Sequence, residues 1–260
     1  MGHRNKLDRA NEHFHTLDEE ILAWFTNHPD PLVNVETEGA EHRLIYARDD
    51  FPRERFGVLI GDIVQNMRQG LDHLAFELAM FNSPQMTEAQ QGSSEFPVFW
   101  EEVRWADSRT KKIGCMCECA KAKIERLQPF KAGDPGYQDS PLWQIHELSR
   151  IDKHRLLLIV DLDTLPGSVA TRGSQWRRFD IHNRTPKRGT EIASFTFTSD
   201  PEVHVEFSVS FSVAFADGPL HGRAVQFTLR DLQSRIQSDV VVPLEQYLLP
   251  HDHIVNALVP

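Results

Sequence analysis

His73 is the residue of this 260-residue chain best suited to proton chemistry. An ordinary imidazole titrates near neutrality, so His73 can serve as a general acid or base. Arg68 precedes it by five residues. Both lie in Arg55 to Phe81, the longest strongly patterned stretch. Leu59, Ile60, Ile63, Val64, Met67, Leu71, Leu74, Ala75 and Leu78 recur at helical spacing, and their broad arc predicts a mostly buried helix. Asp62, Asn66, Gln69 and His73 fall at i, i+4, i+7 and i+11, forming one polar stripe, with Glu77 near its line one turn on. Arg68 stands roughly 140° around the helix from His73. Short or planar polar groups suit fixed hydrogen bonds better than a solvated face. Two readings stand side by side: a structural network in which His73 is a satisfied imidazole, or a catalytic set. In the second, His73 is the general acid or base.

A second candidate follows at 142–155. Leu142, Ile145, Leu148 and Ile151 make a buried side, and His146, Glu147, Arg150, Lys153 and His154 occupy the opposite arc. His146, Arg150, Lys153 and His154 together could bind a phosphate-bearing substrate. The plainer alternative is a solvated face with a Glu147–Arg150 or Glu147–His154 pair. A third candidate is the basic stretch 171–188, with Arg172, Arg177, Arg178, Arg184, Lys187 and Arg188 around Trp176 and Phe179. Aromatics among arginines can stack bases, and Arg177 and Arg178 are its substrate-binding candidates. A charged hairpin edge that blocks aggregation explains the same residues more simply.

The remaining chemistry-bearing residues are weaker. Cys115, Cys117 and Cys119 form a C-x-C-x-C run, whose spacing does not match the usual zinc pairs, so no metal site is read. His251-Asp252-His253 lies near a terminus, where adventitious metal binding is the simpler reading. The chain contains no P-loop, dinucleotide glycine fingerprint, G-x-S-x-G or H-E-x-x-H, and no cofactor is expected.

The positioning elements read as follows. Residues 5–27 form an amphipathic helix ended by His28-Pro29-Asp30-Pro31. Leu32 to Glu38 and Arg43 to Ala47 make a hairpin. After the central helix comes a polar loop, 82–95, and then an apolar clip, Phe96-Pro97-Val98-Phe99-Trp100, expected to pack in the core. Cys115 to Leu127 is a helix, and Ser140-Pro141 starts the helix of the second candidate site. Leu156 to Leu162 reads as an apolar strand, and 203–215 alternates strictly, as an antiparallel strand with one buried face. A last helix, from about Arg230 to Leu248, should be bent or interrupted at Pro243.

Arg68-Gln69-Gly70-Leu71-Asp72-His73 resembles the Arg-x4-His motif of the HEPN superfamily, helical proteins that include many metal-independent ribonucleases. The resemblance implies that Arg68 and His73 act together, often across a dimer interface, with Arg68 stabilising a phosphate or transition state and His73 handling the proton; the catalytic set would be Arg68 and His73, with Asn66 and Asp62 orienting them. The motif departs from the usual form at Gln69, where Asn, Asp or His is common, and Gly70 is a poor helix former. More broadly, GDIVQNMRQGLDHLAFELA and PLWQIHELSRIDKHRLLLIV resemble an uncharacterised bacterial protein family with the same order of parts. That resemblance covers most of the chain and implies no activity.

Composition sets outer bounds. Net charge is −10, which argues against bulk attraction to nucleic acid but leaves room for a local basic groove. Hydrophobic residues at 40% and charged residues at 25% are ordinary for a globular protein. No apolar run is long enough to span a bilayer and no signal-peptide pattern opens the chain, so a cytoplasmic location is expected. The expected fold is α+β: a helical N-terminal part with a small β-hairpin, packed on a C-terminal antiparallel sheet and closed by a C-terminal helix. The two parts, 1–165 and 166–260, should share one core. The expected function is a metal-independent, RNA-directed nuclease or a diverged relative, working as a homodimer. The alternative is a non-catalytic binding or scaffold protein that presents the 172–188 segment to a partner.

Overall fold

The computed structural model describes residues 1–28, 33–39, 41–48, 50–154, 160–164, 168–171, 176–181, 188–197, 205–208 and 211–249. Eight helices lie among them: α1 (Gly2–Asn27), α2 (Arg53–Asn82), α3 (Glu88–Ser93), α4 (Glu102–Ile113), α5 (Glu118–Arg126), α6 (Pro141–His154), α7 (Val225–Arg235) and α8 (Val242–Glu245). The strands are β1 (Val33–Glu38), β2 (Glu41–Tyr46), β3 (Val160–Thr164), β4 (Ser168–Thr171), β5 (Trp176–Ile181), β6 (Glu191–Phe197), β7 (Val205–Ser208) and β8 (Phe211–Phe215). The fold is α+β. No described helix is long and apolar enough to cross a membrane.

The chain forms two compact units, and neither is one stretch of sequence. The helical unit takes 1–17, 58–158 and the residues from 228 onward; the sheet unit takes 18–57 and 159–227. A single cut near residue 165 would fall close to one of these changeovers, but the sheet unit also claims the early hairpin.

The sheet unit explains that claim. All pairings are antiparallel, and the larger sheet runs β1-β2-β6-β5. The hairpin β1–β2 is therefore not a separate feature: His42 sits opposite Phe195 and Leu44 opposite Ala193. The imidazole of His42 stacks on Phe195 with ring centroids 5.0 Å apart. Nothing in either strand's own pattern announces a partner about 150 residues away, because alternation specifies a face and not a neighbour. Gly39, with φ 61°, supplies the left-handed residue that a tight hairpin turn needs. The strictly alternating stretch 203–215 is two strands, β7 and β8, paired with β4 and β3 respectively. The register Val160↔Phe215 to Thr164↔Phe211 continues as Ser168↔Ser208 to Thr171↔Val205 with a shift of one residue. Trp24, Phe51 and Phe56 meet edge to face in this unit, at 5.3 and 5.5 Å.

In the helical unit α2 is the axis. Every apolar position predicted for its core face, from Leu59 to Leu78, is at most 4% exposed. Two glycines let other chain segments approach it. A Cβ on Gly70 would lie 2.9 Å from Leu7 Cδ2, so the poor helix former in the motif is where α1 packs closest. A Cβ on Gly61 would collide with the carboxylate of Asp152 on α6. The start of α1 is bound to α2 by charge as well. Glu77 Oε1 accepts the His3 backbone N–H at 3.2 Å and also that of Gly2, which neutralises donors a helix start leaves unpaired. Buried His3 touches Glu77 through Nδ1 at 2.6 Å and Glu245 through Nε2 at 2.7 Å.

Other elements differ from the sequence expectation, while the interruption expected at Pro243 is present. The loop 82–95 contains α3, started by a Thr87–Gln90 capping box. Cys117 is the N-cap of α5, its Sγ accepting from the Ala120 N–H at 3.4 Å, so Cys115 and Cys119 do not share a helical face. The last helix is broken into α7, a π-helical turn at Ile236–Val241, α8 and a 3-10 turn at Gln246–Leu248. The π turn directly precedes Pro243, whose missing N–H cannot serve the α-helical ladder.

Replacing Gly61 by Ala should destabilise the protein by roughly 1–3 kcal/mol, through overpacking against Asp152. Gly61→Ala combined with Asp152→Ala should lose less than the sum of the single changes. Urea denaturation of the four species checks both expectations.

Candidate functional site

The polar row that organises α2 lies one residue before the expected stripe. Gly61, Gln65, Arg68 and Asp72 repeat at the same i, i+4, i+7, i+11 spacing, and all of them face neighbouring elements. Gln65 brackets α6: its Nε2 donates to the Ser149 carbonyl at 3.0 Å and to Asp152 Oδ2 at 2.9 Å, while its Oε1 accepts from Ser149 Oγ at 3.1 Å. The expected stripe is different in kind. Asp62, Gln69 and His73 are exposed, and Asn66 turns back to donate to the Asp62 carbonyl at 2.8 Å.

Arg68 is only 7% exposed. Its Nη2 donates to the Phe96 carbonyl at 2.6 Å and pairs with Asp72 Oδ1 at 2.8 Å. The same carboxylate oxygen accepts the Phe96 N–H at 3.1 Å. Arg68 Nη1 is buried with no partner among the described residues. Burial pushes the guanidinium pKa below its ordinary value, opposed by the Asp72 charge.

The clip 95–100 gathers side chains from three helices. Phe96 engages Arg68 and Asp72 of α2; Glu95 pairs with Lys112 of α4; Trp100 lies 6.2 Å from the His146 ring of α6. Lys112 Nζ also lies 6.0 Å from the Phe99 ring. The clip has no strand partner among the described residues; side chains take several of its backbone groups, and the Phe130 N–H donates to the Phe99 carbonyl at 3.3 Å. Gln128, 2% exposed, donates to the Pro97 carbonyl at 2.9 Å and accepts the Phe99 N–H at 3.0 Å. A buried backbone must find such partners somewhere.

This hub sets the electrostatics. Burial, and after it the charge of Arg68, lowers the His146 pKa to about 4, so the ring is neutral at neutral pH. Burial, then the charge of Arg68, likewise lowers Lys112. His146 thus stands apart from the other candidates of its helix. Arg150, Lys153 and His154 are exposed, and Arg150 donates to Glu147 at 2.7 Å, the surface pair that the plainer reading of this helix expects.

The predicted site residues therefore separate. Arg68 and His146 belong to the buried hub. His73 faces outward on another arc of α2, where a Cβ on Gly2 would lie 2.9 Å from its Nδ1. Arg177 and Arg178 lie on β5, an edge strand of the four-stranded sheet. The register slips between Trp176 and Arg178, so Arg177 is the unmatched residue of a bulge. Arg172, Arg184, Lys187 and His251-Asp252-His253 lie outside the described residues. Sequence reasoning missed Gln65, Asp72, Lys112 and Trp100. Asp72 was detectable as an i+4 ion-pair partner of Arg68; the other three become visible only when the clip is placed.

No family model, curated protein or solved structure matches the chain.

Arg68→Ala should cost roughly 2–4 kcal/mol, because it empties a packed site and strands the Phe96 carbonyl. His73→Ala should stay within about 0.5 kcal/mol, as a surface change. Chemical denaturation distinguishes the two. The pH dependence of stability has a definite sign at His146. A ring held neutral in the fold, yet free to protonate when unfolded, contributes its stability fully above about pH 6.5 and loses it as pH falls toward about 4. Between those values the melting temperature of His146→Gln should fall less steeply with acidification than that of wild type.

Proposed function

We propose that the protein is a non-catalytic binding protein whose polar helix network is structural and whose basic edge strand β5 contacts single-stranded RNA. The observation that carries this reading is the divergence of Arg68 and His73. Arg68 is sealed inside with Asp72 and the Phe96 carbonyl, and His73 is exposed on another side of the same helix. A proton-transfer group and a phosphate-holding group must converge on one reacting atom, and these two do not converge within one chain. His146, the imidazole nearest Arg68's field, has a pKa too far below neutrality for efficient acid–base work at pH 7.

The binding surface is argued from β5. Among the described residues β5 is an edge strand, the position at which a sheet offers backbone groups to a partner, and it carries Arg177, the bulge residue, next to Arg178 in sequence. Trp176 and Phe179 on the same strand supply ring types that stack on bases. In a chain of net charge −10, such a contact must be local and strongly salt-dependent.

A HEPN-like, metal-independent ribonuclease is the second reading, and the exposure of Asp62, Gln69 and His73 in one row favours it. That row could meet a second copy of α2 in a homodimer, as the Arg-x4-His resemblance implies.

Fluorescence anisotropy with a labelled single-stranded RNA, beside a cleavage assay without added metal, separates the readings. Wild type should bind without cleaving, Arg177→Glu/Arg178→Glu should lose binding on the order of tenfold or more, and His73→Ala should bind as wild type does. Cleavage by wild type that disappears in both His73→Ala and Arg68→Ala, with the melting of His73→Ala unchanged, would overturn the binding-protein reading in favour of the nuclease.

A further inference from the structure

Away from the α2 hub, α4 and α5 enclose a pocket of about 310 Å3. Trp105, Ile113 and Ala122 give it apolar walls, and Arg109, Lys121 and Glu125 stand around it. Its size lies at the bottom of the range for small-molecule sites. Two observations bear on what it would take. Trp105 is 3% exposed, and its indole N–H is buried with no acceptor among the described residues. Its ring is held by Phe99 at 6.5 Å and Phe130 at 6.2 Å, so the apolar wall is fixed in place. A buried donor without an acceptor costs free energy that an oxygen-bearing ligand would recover.

The second observation is the charge arrangement. Lys121 is satisfied by Glu118 at 2.9 Å. Arg109 Nη1 is 3.7 Å from Glu125, too long for a hydrogen bond, and Glu125 is also approached by Lys131 at 3.5 Å. One carboxylate is thus shared by two cations, and the Arg109 fork is left under-used. Its geometry matches a second carboxylate, which could accept two parallel N–H bonds.

We propose that this pocket binds a small apolar carboxylate, with an aromatic or branched body against Trp105, Ile113 and Ala122 and its carboxylate on Arg109. Apolar walls supply affinity by burial, and the charge-assisted bonds at the rim fix orientation. The neutral analogue loses the Arg109 contact, whereas inorganic phosphate loses the walls.

Titration calorimetry on the full chain tests this with benzoate and 3-phenylpropionate as probes, and with benzyl alcohol and inorganic phosphate as comparisons. A saturable one-to-one isotherm is expected for at least one arylcarboxylate, with benzyl alcohol and phosphate each weaker by about tenfold or more. Arg109→Gln should weaken the arylcarboxylate by about tenfold. Ala122→Leu fills the pocket from an exposed helical position that tolerates leucine, and should abolish binding with melting unchanged. The proposal is overturned if neither arylcarboxylate gives a saturable isotherm. It is equally overturned if phosphate binds as tightly as they do, or if folded Ala122→Leu binds like wild type.

Discussion

A buried guanidinium holds the helical unit's polar interior in one arrangement. Arg68 reaches from α2 to the carbonyl of Phe96, and Asp72, one turn on, takes the N–H of the same residue. Two side chains on one helix thus grip both polar groups of one backbone residue, as a neighbouring strand would. An arginine buried to this extent is costly to desolvate, and Asp72 beside it offsets part of that cost. The clip 95–100 could not enter the core without such partners, since it belongs to no sheet and its backbone would otherwise be stranded. Once seated, it brings Lys112 and His146 under the field of Arg68, and burial together with that field keeps His146 neutral.

The same economy of side chains serving as backbone partners recurs nearby. Gln128 serves Pro97 and Phe99, Glu77 caps the start of α1, and Gln65 links α2 to the α6 backbone and Asp152. Much of the polar surface that a sequence reader would assign to chemistry is spent in this way. Of the expected stripe on α2, Asp62, Gln69 and His73 stay exposed, apart from buried Arg68. That contrast is the ground on which binding, rather than turnover, is proposed.

The apolar pattern made α2, α1 and α6 legible, because a 3.6-residue period on a mostly buried helix leaves few alternatives. Ser140-Pro141 marked the start of α6 for the same local reasons. The α+β class followed from element order. Which polar row did the structural work was not legible. Asp62, Asn66, Gln69 and His73 look like the polar face because all four are polar; Gly61, Gln65, Arg68 and Asp72 include a glycine and border the apolar arc. Their partners, Asp152 and the Phe96 backbone, are distant in sequence, and neither residue type signals the contact. The hairpin β1–β2 met the same limit: its two strands were readable, its neighbour β6 was not. The break of 203–215 into β7 and β8 is a matter of register, which alternation leaves undetermined.

The most direct measurement is hydrogen exchange at the Phe96 amide, in wild type and in Asp72→Ala. If the Arg68–Asp72 grip fixes the clip, this amide exchanges slowly in wild type. It should then exchange quickly in the variant, while the amides of α2 from Leu59 to Val64 keep their protection. Fast exchange in wild type, or exchange unchanged by the loss of Asp72, would contradict the account.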